Sequence, residues 1–254
     1  MKTIILKKIE NITLRHNVRI LYACESGSRG WQFPSPDSDY DVRFIYLRPY
    51  NSYLSVSEKK LHLDFPVSNE LDIYGWDLRK VLQLIRKSNT TPFEWLQSPI
   101  VYTEEDGFRQ TLWSLCNQYF SPRGNIHHYL GIAYGALESI ENTDEIAIKK
   151  LFYVLRPLLA AKWCMEKNSI APMAIGPLMQ MLPESLHLQI QELIVLKGIV
   201  NEAHRVVVSP MLRSFIDTET SRILTATKRI PAITFGTCLL DDFFINTIRK
   251  YDYS

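Results

Sequence analysis

Two hydrophobic rhythms divide the chain. Up to about Thr103, apolar residues alternate with polar ones over short runs. Val18-Arg19-Ile20-Leu21-Tyr22-Ala23-Cys24, Val42 to Leu47, Leu61 to Phe65 and Glu70 to Trp76 are rich in β-branched and aromatic residues. Such runs predict strands. Ile100-Val101-Tyr102 predicts a further short extended piece, and Pro66 to Asn69 a turn. Ile5, Ile9 and Ile12 recur at helical spacing among lysines, which predicts an amphipathic helix over Thr3 to Arg15. Asp77 reads as the N-cap of a helix carrying Val81, Leu82, Leu84 and Ile85. Thr91-Pro92-Phe93-Glu94 reads as a capping box with proline at the first helical position.

Beyond Thr103 helical periods take over. They predict helices from Glu104 to Tyr119, Asn125 to Ile140, Thr143 to Glu166, Glu184 to Lys197, Met211 to Thr227 and Thr237 to Tyr251. Pro122, Gly124, Pro172, Pro183, Pro210 and Pro231 fall in the breaks, and Pro157 is expected to bend the helix that contains it. The pattern predicts an α/β half over residues 1–103 and an all-helical half over residues 104–254.

Composition narrows the classes. The 254 residues are 46% hydrophobic and 22% charged, as in a soluble globular protein. A net charge of +2 leaves no nucleic-acid footprint in the totals, although a local basic patch is compatible with it. Cys24, Cys116, Cys164 and Cys238 lie far apart with no C-x-x-C pair, which argues against zinc and against a disulfide framework. A reducing, cytoplasmic setting is expected. The apolar Ile4-Ile5-Leu6 is cut by Lys7 and Lys8, too soon for a signal-peptide core, and no run approaches a membrane span.

One stretch carries candidate chemistry. Gly27-Ser28-Arg29-Gly30 follows the first strand, and Ser38-Asp39-Tyr40-Asp41 leads into the next. Residues two apart on a strand share a face, so Asp39 and Asp41 project together and suit a hard divalent cation such as Mg²⁺. A glycine turn with free N–H groups and the Ser28 hydroxyl can hold phosphate. Together they describe a site for a nucleoside triphosphate and its metal. The same residues also fit two unrelated loops, a Gly-Ser turn and an Asp-rich turn beside Pro34 and Pro36.

Asp72 lies between Leu71 and Ile73 in a strand-like run. If that strand pairs with the Asp39–Asp41 strand, it completes a cluster of three carboxylates; otherwise it is an edge residue facing water. Lys149, Tyr153 and Arg156 share one helical face, with Lys150 at its border. Such a stripe can grip a triphosphate, or it can be a solvated face with snorkelling lysines. His127 and His128 are weak metal or general-base candidates.

The run Glu25-Ser26-Gly27-Ser28-Arg29, then Ser35-Pro36-Asp37-Ser38-Asp39-Tyr40-Asp41-Val42-Arg43-Phe44, resembles predicted nucleotidyltransferases of the DNA polymerase β superfamily, in particular their RNA-ligase-associated subgroup. The resemblance continues through Leu71 to Lys80, Glu94 to Tyr102, and Lys149-Lys150 with Tyr153 to Ala160, and fades after about Met173. It implies an α+β fold: a mixed sheet with flanking helices, and a helical domain closing over the nucleotide. It also implies an enzyme that transfers a nucleoside monophosphate from an NTP, such as ATP, to an acceptor hydroxyl. Asp39, Asp41 and Asp72 fall on its catalytic, metal-binding carboxylates for two Mg²⁺ ions, with Mn²⁺ an alternative. Gly27, Ser28 and Arg29 fall on its phosphate-binding turn. Lys149, Lys150, Tyr153 and Arg156 match its helical motif, where we expect phosphate contacts. RNA 3′ ends are the favoured acceptor. A protein hydroxyl (AMPylation) and a small molecule are the alternatives, and a non-catalytic nucleotide-binding regulator is a rival of another class. Gly30 stands where the subgroup has alanine, and Gln32 where it has glycine.

Overall fold

The structure is a computed structural model that describes residues 1–68, 70–137 and 145–251. The end of the turn predicted at Pro66 to Asn69 and the junction between the helices predicted around Ile140 and Thr143 lie outside the described residues. The chain forms two compact units. The first comprises Met1–Gly27, Asp39–Tyr119 and Thr234–Ser254; the second comprises Ser28–Ser38 and Phe120–Ile233.

The first unit is built on a five-stranded mixed sheet. Helix α1 (Lys2–His16) leads into β1 (Arg19–Glu25), and a one-turn helix α2 (Gly27–Gly30) follows. Then come β2 (Tyr40–Leu47), the short helix α3 (Tyr50–Tyr53), β3 (His62–Asp64), β4 (Leu71–Asp77), α4 (Leu78–Arg86), α5 (Thr90–Trp95), β5 (Val101–Glu104) and α6 (Phe108–Gln118). The strand order is β3-β4-β2-β1-β5. β2 runs parallel to β4, and the other neighbours are antiparallel. As the middle strand, β2 is buried on both faces, so Val42, Phe44, Ile45 and Tyr46 are fully covered. That explains why its sequence is nearly continuously apolar rather than cleanly alternating. On one face Ile5, Ile9 and Ile12 of α1 pack with Val42, Phe44, Tyr46, Leu71 and Ile73. Each such side chain contributes roughly 1.5–3 kcal/mol.

Asp77 caps α4 as its position predicts: the side chain accepts from Arg79 N at 2.9 Å. The next cap differs. Asn89, not Thr91, accepts from the helix (Thr91 N, 3.0 Å), and α5 starts at Thr90, so no capping box forms around Glu94. Asp77 is fully buried beside Tyr53, whose hydroxyl donates to both carboxylate oxygens, at 3.2 and 3.1 Å. Burial raises its carboxyl above the usual range, against the lowering effect of those donors and of Arg48. A carboxyl with a raised native pKa keeps its proton longer when folded than when unfolded. Its contribution to stability is full below the unfolded value, near 4, and fades as pH rises through the native one. Asp77→Asn keeps a good N-cap and abolishes that titration. Thermal melts are expected to show the variant gaining on wild type as pH rises from about 4 to neutral.

The second unit is helical and centred on α8. After α7 (Pro122–Leu137) come a short strand β6 (Glu145–Ala147), α8 (Ile148–Lys167), α9 (Ile175–Met179), α10 (Glu184–Lys197), the strand β7 (Arg205–Val207) and α11 (Pro210–Thr227). The closing helix, α12 (Cys238–Tyr251), belongs to the first unit. Leu151, Phe152, Leu155, Leu158 and Leu159 of α8 are covered almost completely, with α7 and α11 packed against it. α8 continues unbroken through Pro157. β6 and β7, which no alternation predicted, pair antiparallel over three residue pairs.

All four cysteines are free thiols. Among the described residues no helix is long and apolar enough to cross a membrane.

Candidate functional site

The parallel pairing of β2 with β4 sets Asp41 directly opposite Asp72. Both carboxylates therefore lie on one sheet face, part-exposed, with side chains 28% and 32% accessible. Arg43, two residues beyond Asp41, shares that face. One of its terminal nitrogens, Nη2, donates to Asp41 Oδ1 at 2.8 Å and to Asp72 Oδ2 at 2.7 Å. The other, Nη1, donates to the carbonyls of Asp72 (2.9 Å) and Val42 (3.1 Å). The guanidinium lies 4.0 Å from the Tyr74 ring centroid. Asp41 and Asp72 are thus a positioned pair with a buried cation between them. Asp39 is exposed just ahead of the strand.

Gly27 packs against Asp41. Its φ of +57° is left-handed, and a Cβ built there would come 1.9 Å from Asp41 Oδ2. Any side chain at this position meets both a backbone penalty and the Asp41 carboxylate, so only glycine lets the turn lie beside the acid. The neighbouring strand end is fixed through Glu25, which is fully buried. Its carboxylate accepts from Asp41 N at 2.7 Å and from the Tyr102 hydroxyl. Ser26 N donates to Asp41 O at 2.7 Å. The adjacent Cys24 is no nucleophile, because burial pushes its thiol up to about 12.

In the second unit Ser28 and Arg29 fold onto their own loop. Ser28 Oγ donates to Ser38 Oγ at 3.0 Å, and Arg29 Nη2 donates to Ser38 O at 2.7 Å. Ser38 Oγ donates to Glu202 Oε1 at 2.8 Å, and Glu202 Oε2 pairs with the Lys149 ammonium. Ser28, Arg29 and Lys149 are therefore brought together. Tyr153 and Arg156 meet around Trp31: the Tyr153 ring sits edge-on to it at 5.7 Å, and the Arg156 guanidinium lies 4.7 Å from it. Arg156 is buried and donates to Met173 O, whereas Tyr153 and Lys150 are exposed. Gln32 has φ +71°, a left-handed conformation that favours glycine.

Among the described residues no three His, Cys, Asp or Glu side chains are gathered closely enough to hold a metal ion. His127 and His128 form no such group, and Asp39 does not join the other two acids in one. Asp41 and Asp72 nevertheless present oxygen donors side by side, the chemistry that a hard divalent cation takes.

Arg43, Glu25 and Glu202 are the residues that sequence reasoning missed. Only Arg43 carried a local signal: the period of two that puts Asp39 and Asp41 together puts it on their face as well.

A family model described as RlaP, the RNA repair pathway DNA polymerase beta family, matches residues 1–246. The chain is 38% identical over 254 residues to YcgL of Bacillus subtilis (strain 168), a protein described as uncharacterized; the match covers 98% of this chain and 97% of that one.

Proposed function

The chain belongs to the RNA repair pathway DNA polymerase beta family, and from that premise we propose that it transfers a nucleoside monophosphate from an NTP to the 3′-hydroxyl of an RNA. The observation that carries this reading is the Asp41–Asp72 pair, set in register on adjacent parallel strands with Gly27 packed against Asp41. The acceptor oxygen forms a bond to the α-phosphorus, the bond from the α-phosphorus to the leaving oxygen breaks, and pyrophosphate departs. Asp72 takes the proton of the attacking hydroxyl. Arg29 and Lys149 donate to phosphate oxygens, with arginine the best shaped for them, and Ser28 does so once its hydroxyl turns from Ser38. Asp41 and Asp72, with Asp39, would hold divalent cations, Mg²⁺ or Mn²⁺, which when bound neutralise charge developing on the attacking and leaving oxygens.

RNA is favoured over a protein or small-molecule hydroxyl by the family description, since the net charge of +2 decides nothing. Incubation with each α-labelled NTP, Mg²⁺, total RNA and lysate protein is expected to label RNA and release pyrophosphate. Label confined to protein would redirect the assignment to AMPylation. Mg²⁺-dependent NTP binding with no pyrophosphate from any acceptor would make the protein a nucleotide-binding regulator.

A further inference from the structure

The Gly-Ser turn opens an eleven-residue excursion, Ser28–Ser38, that packs within the helical unit. Its internal turns are few: Phe33 N to Ser28 O, Gln32 N to Arg29 O and Ser38 N to Ser35 O. Its polar anchors lie more than 160 residues away. Lys197 Nζ donates to Ser35 Oγ at 2.7 Å, from a side chain that is 1% exposed and 5.7 Å from the Phe33 ring. Glu202 N donates to the Asp37 carboxylate at 3.0 and 3.2 Å. The Glu202 carboxylate then takes the Ser38 hydroxyl on one oxygen and the Lys149 ammonium on the other. Ser38 Oγ, held also by Ser35 N at 2.9 Å, accepts in turn from Ser28. One carboxylate thus joins the serine relay to the lysine.

We infer that Glu202 is a positioning residue for phosphate binding, with Lys197 supporting it through Ser35. The inference rests on the proposed assignment of Ser28 and Lys149 to phosphate oxygens. A lysine side chain has four rotatable carbons and no preferred geometry of its own. A carboxylate at a fixed point removes that freedom before the ligand arrives, so less ordering is lost on binding. An ammonium carries three donors, so the Glu202 contact by itself does not exhaust Lys149. Burial lowers the Lys197 pKa, against the raising effect of the Glu202 and Asp37 carboxylates.

Titration calorimetry with inorganic tripolyphosphate tests this without an acceptor or a chosen base. E202A is expected to bind about tenfold more weakly than wild type, as loss of a charge-assisted contact implies. E202Q, which still accepts from Ser38, should fall between the two. The double variant E202A/K149A should bind no more than about threefold more weakly than K149A alone, since Glu202 acts through Lys149. A general structural defect would instead give multiplied losses. Unchanged binding in E202A, or losses that multiply, overturns the inference. So does tighter binding, which would make the carboxylate a surrogate phosphate that the ligand has to displace. If wild type itself binds neither tripolyphosphate nor any NTP, the proposed function fails first.

Discussion

Replacing Arg43 with methionine is expected to cost about 3 kcal/mol of stability, because it strips the cation from between two aligned carboxylates. The methionine keeps most of the apolar stem against Tyr74 but none of the four donated hydrogen bonds. Two carbonyls lose a partner, and Asp41 and Asp72 face each other across a parallel register with nothing between them. Partial solvation of both acids keeps the loss at the lower end of what breaking a buried pair costs. Arg43→Lys should recover less than half, since an ammonium cannot reach two carboxylates and two carbonyls in the planar arrangement of a guanidinium. Urea unfolding reads the effect as a shift of midpoint at constant slope. The diagnostic is the double variant R43M/D72N. With one of the two charges gone the repulsion goes too, so adding D72N to R43M should cost far less than adding it to wild type. An unfolding free energy within about 1 kcal/mol of wild type for R43M would show that the guanidinium is incidental to holding the pair.

How legible this was depends on sequence distance. Asp41 and Asp72 could be read because each sits in a run with a period of two, and because a strand-pairing hypothesis made their meeting checkable. The same period contained Arg43, but an arginine amid Val42, Phe44, Ile45 and Tyr46 reads as a solvent-facing break. Only the central place of β2, buried on both faces, turns it into an internal cation. Gly27 was legible as a turn residue, although its packing against the Asp41 carboxylate is a tertiary fact. Lys197 and Glu202 were out of reach. They lie beyond about Met173, where no motif was read although the family model runs to residue 246, and they meet the loop across 162 and 164 positions. Local chemistry misled at one cap: Thr91-Pro92 fits the rules for a helix start, yet Asn89 stands two residues earlier and captures the free Thr91 N–H. The short elements β6, β7, α3 and α9 showed no period, although β3 and β5, similarly short, stood out through the apolar, β-branched and aromatic residues of their runs.

The two acids themselves should respond differently to loss of charge. Asp41→Asn is expected to lower nucleotidyl transfer about a thousandfold or more while leaving the fold intact. The amide occupies the same volume, and Arg43 retains Asp72 and both carbonyls. What disappears is a negative oxygen donor beside Gly27, where a cation is proposed to sit. Asp72→Asn is expected to reduce turnover of a bound substrate more than NTP affinity. Its proposed task is to receive the proton of the attacking hydroxyl, an event that occurs in the transition state and not in the ground-state complex. Single-turnover rates with pre-bound NTP, set beside equilibrium binding of the same NTP, separate the two effects. Equal losses in rate and affinity for Asp72→Asn would move it from the nucleophile to the triphosphate side. Full activity in Asp41→Asn would remove the acid pair from the chemistry altogether, leaving Arg43 and its two carboxylates as a structural knot in the middle of the sheet.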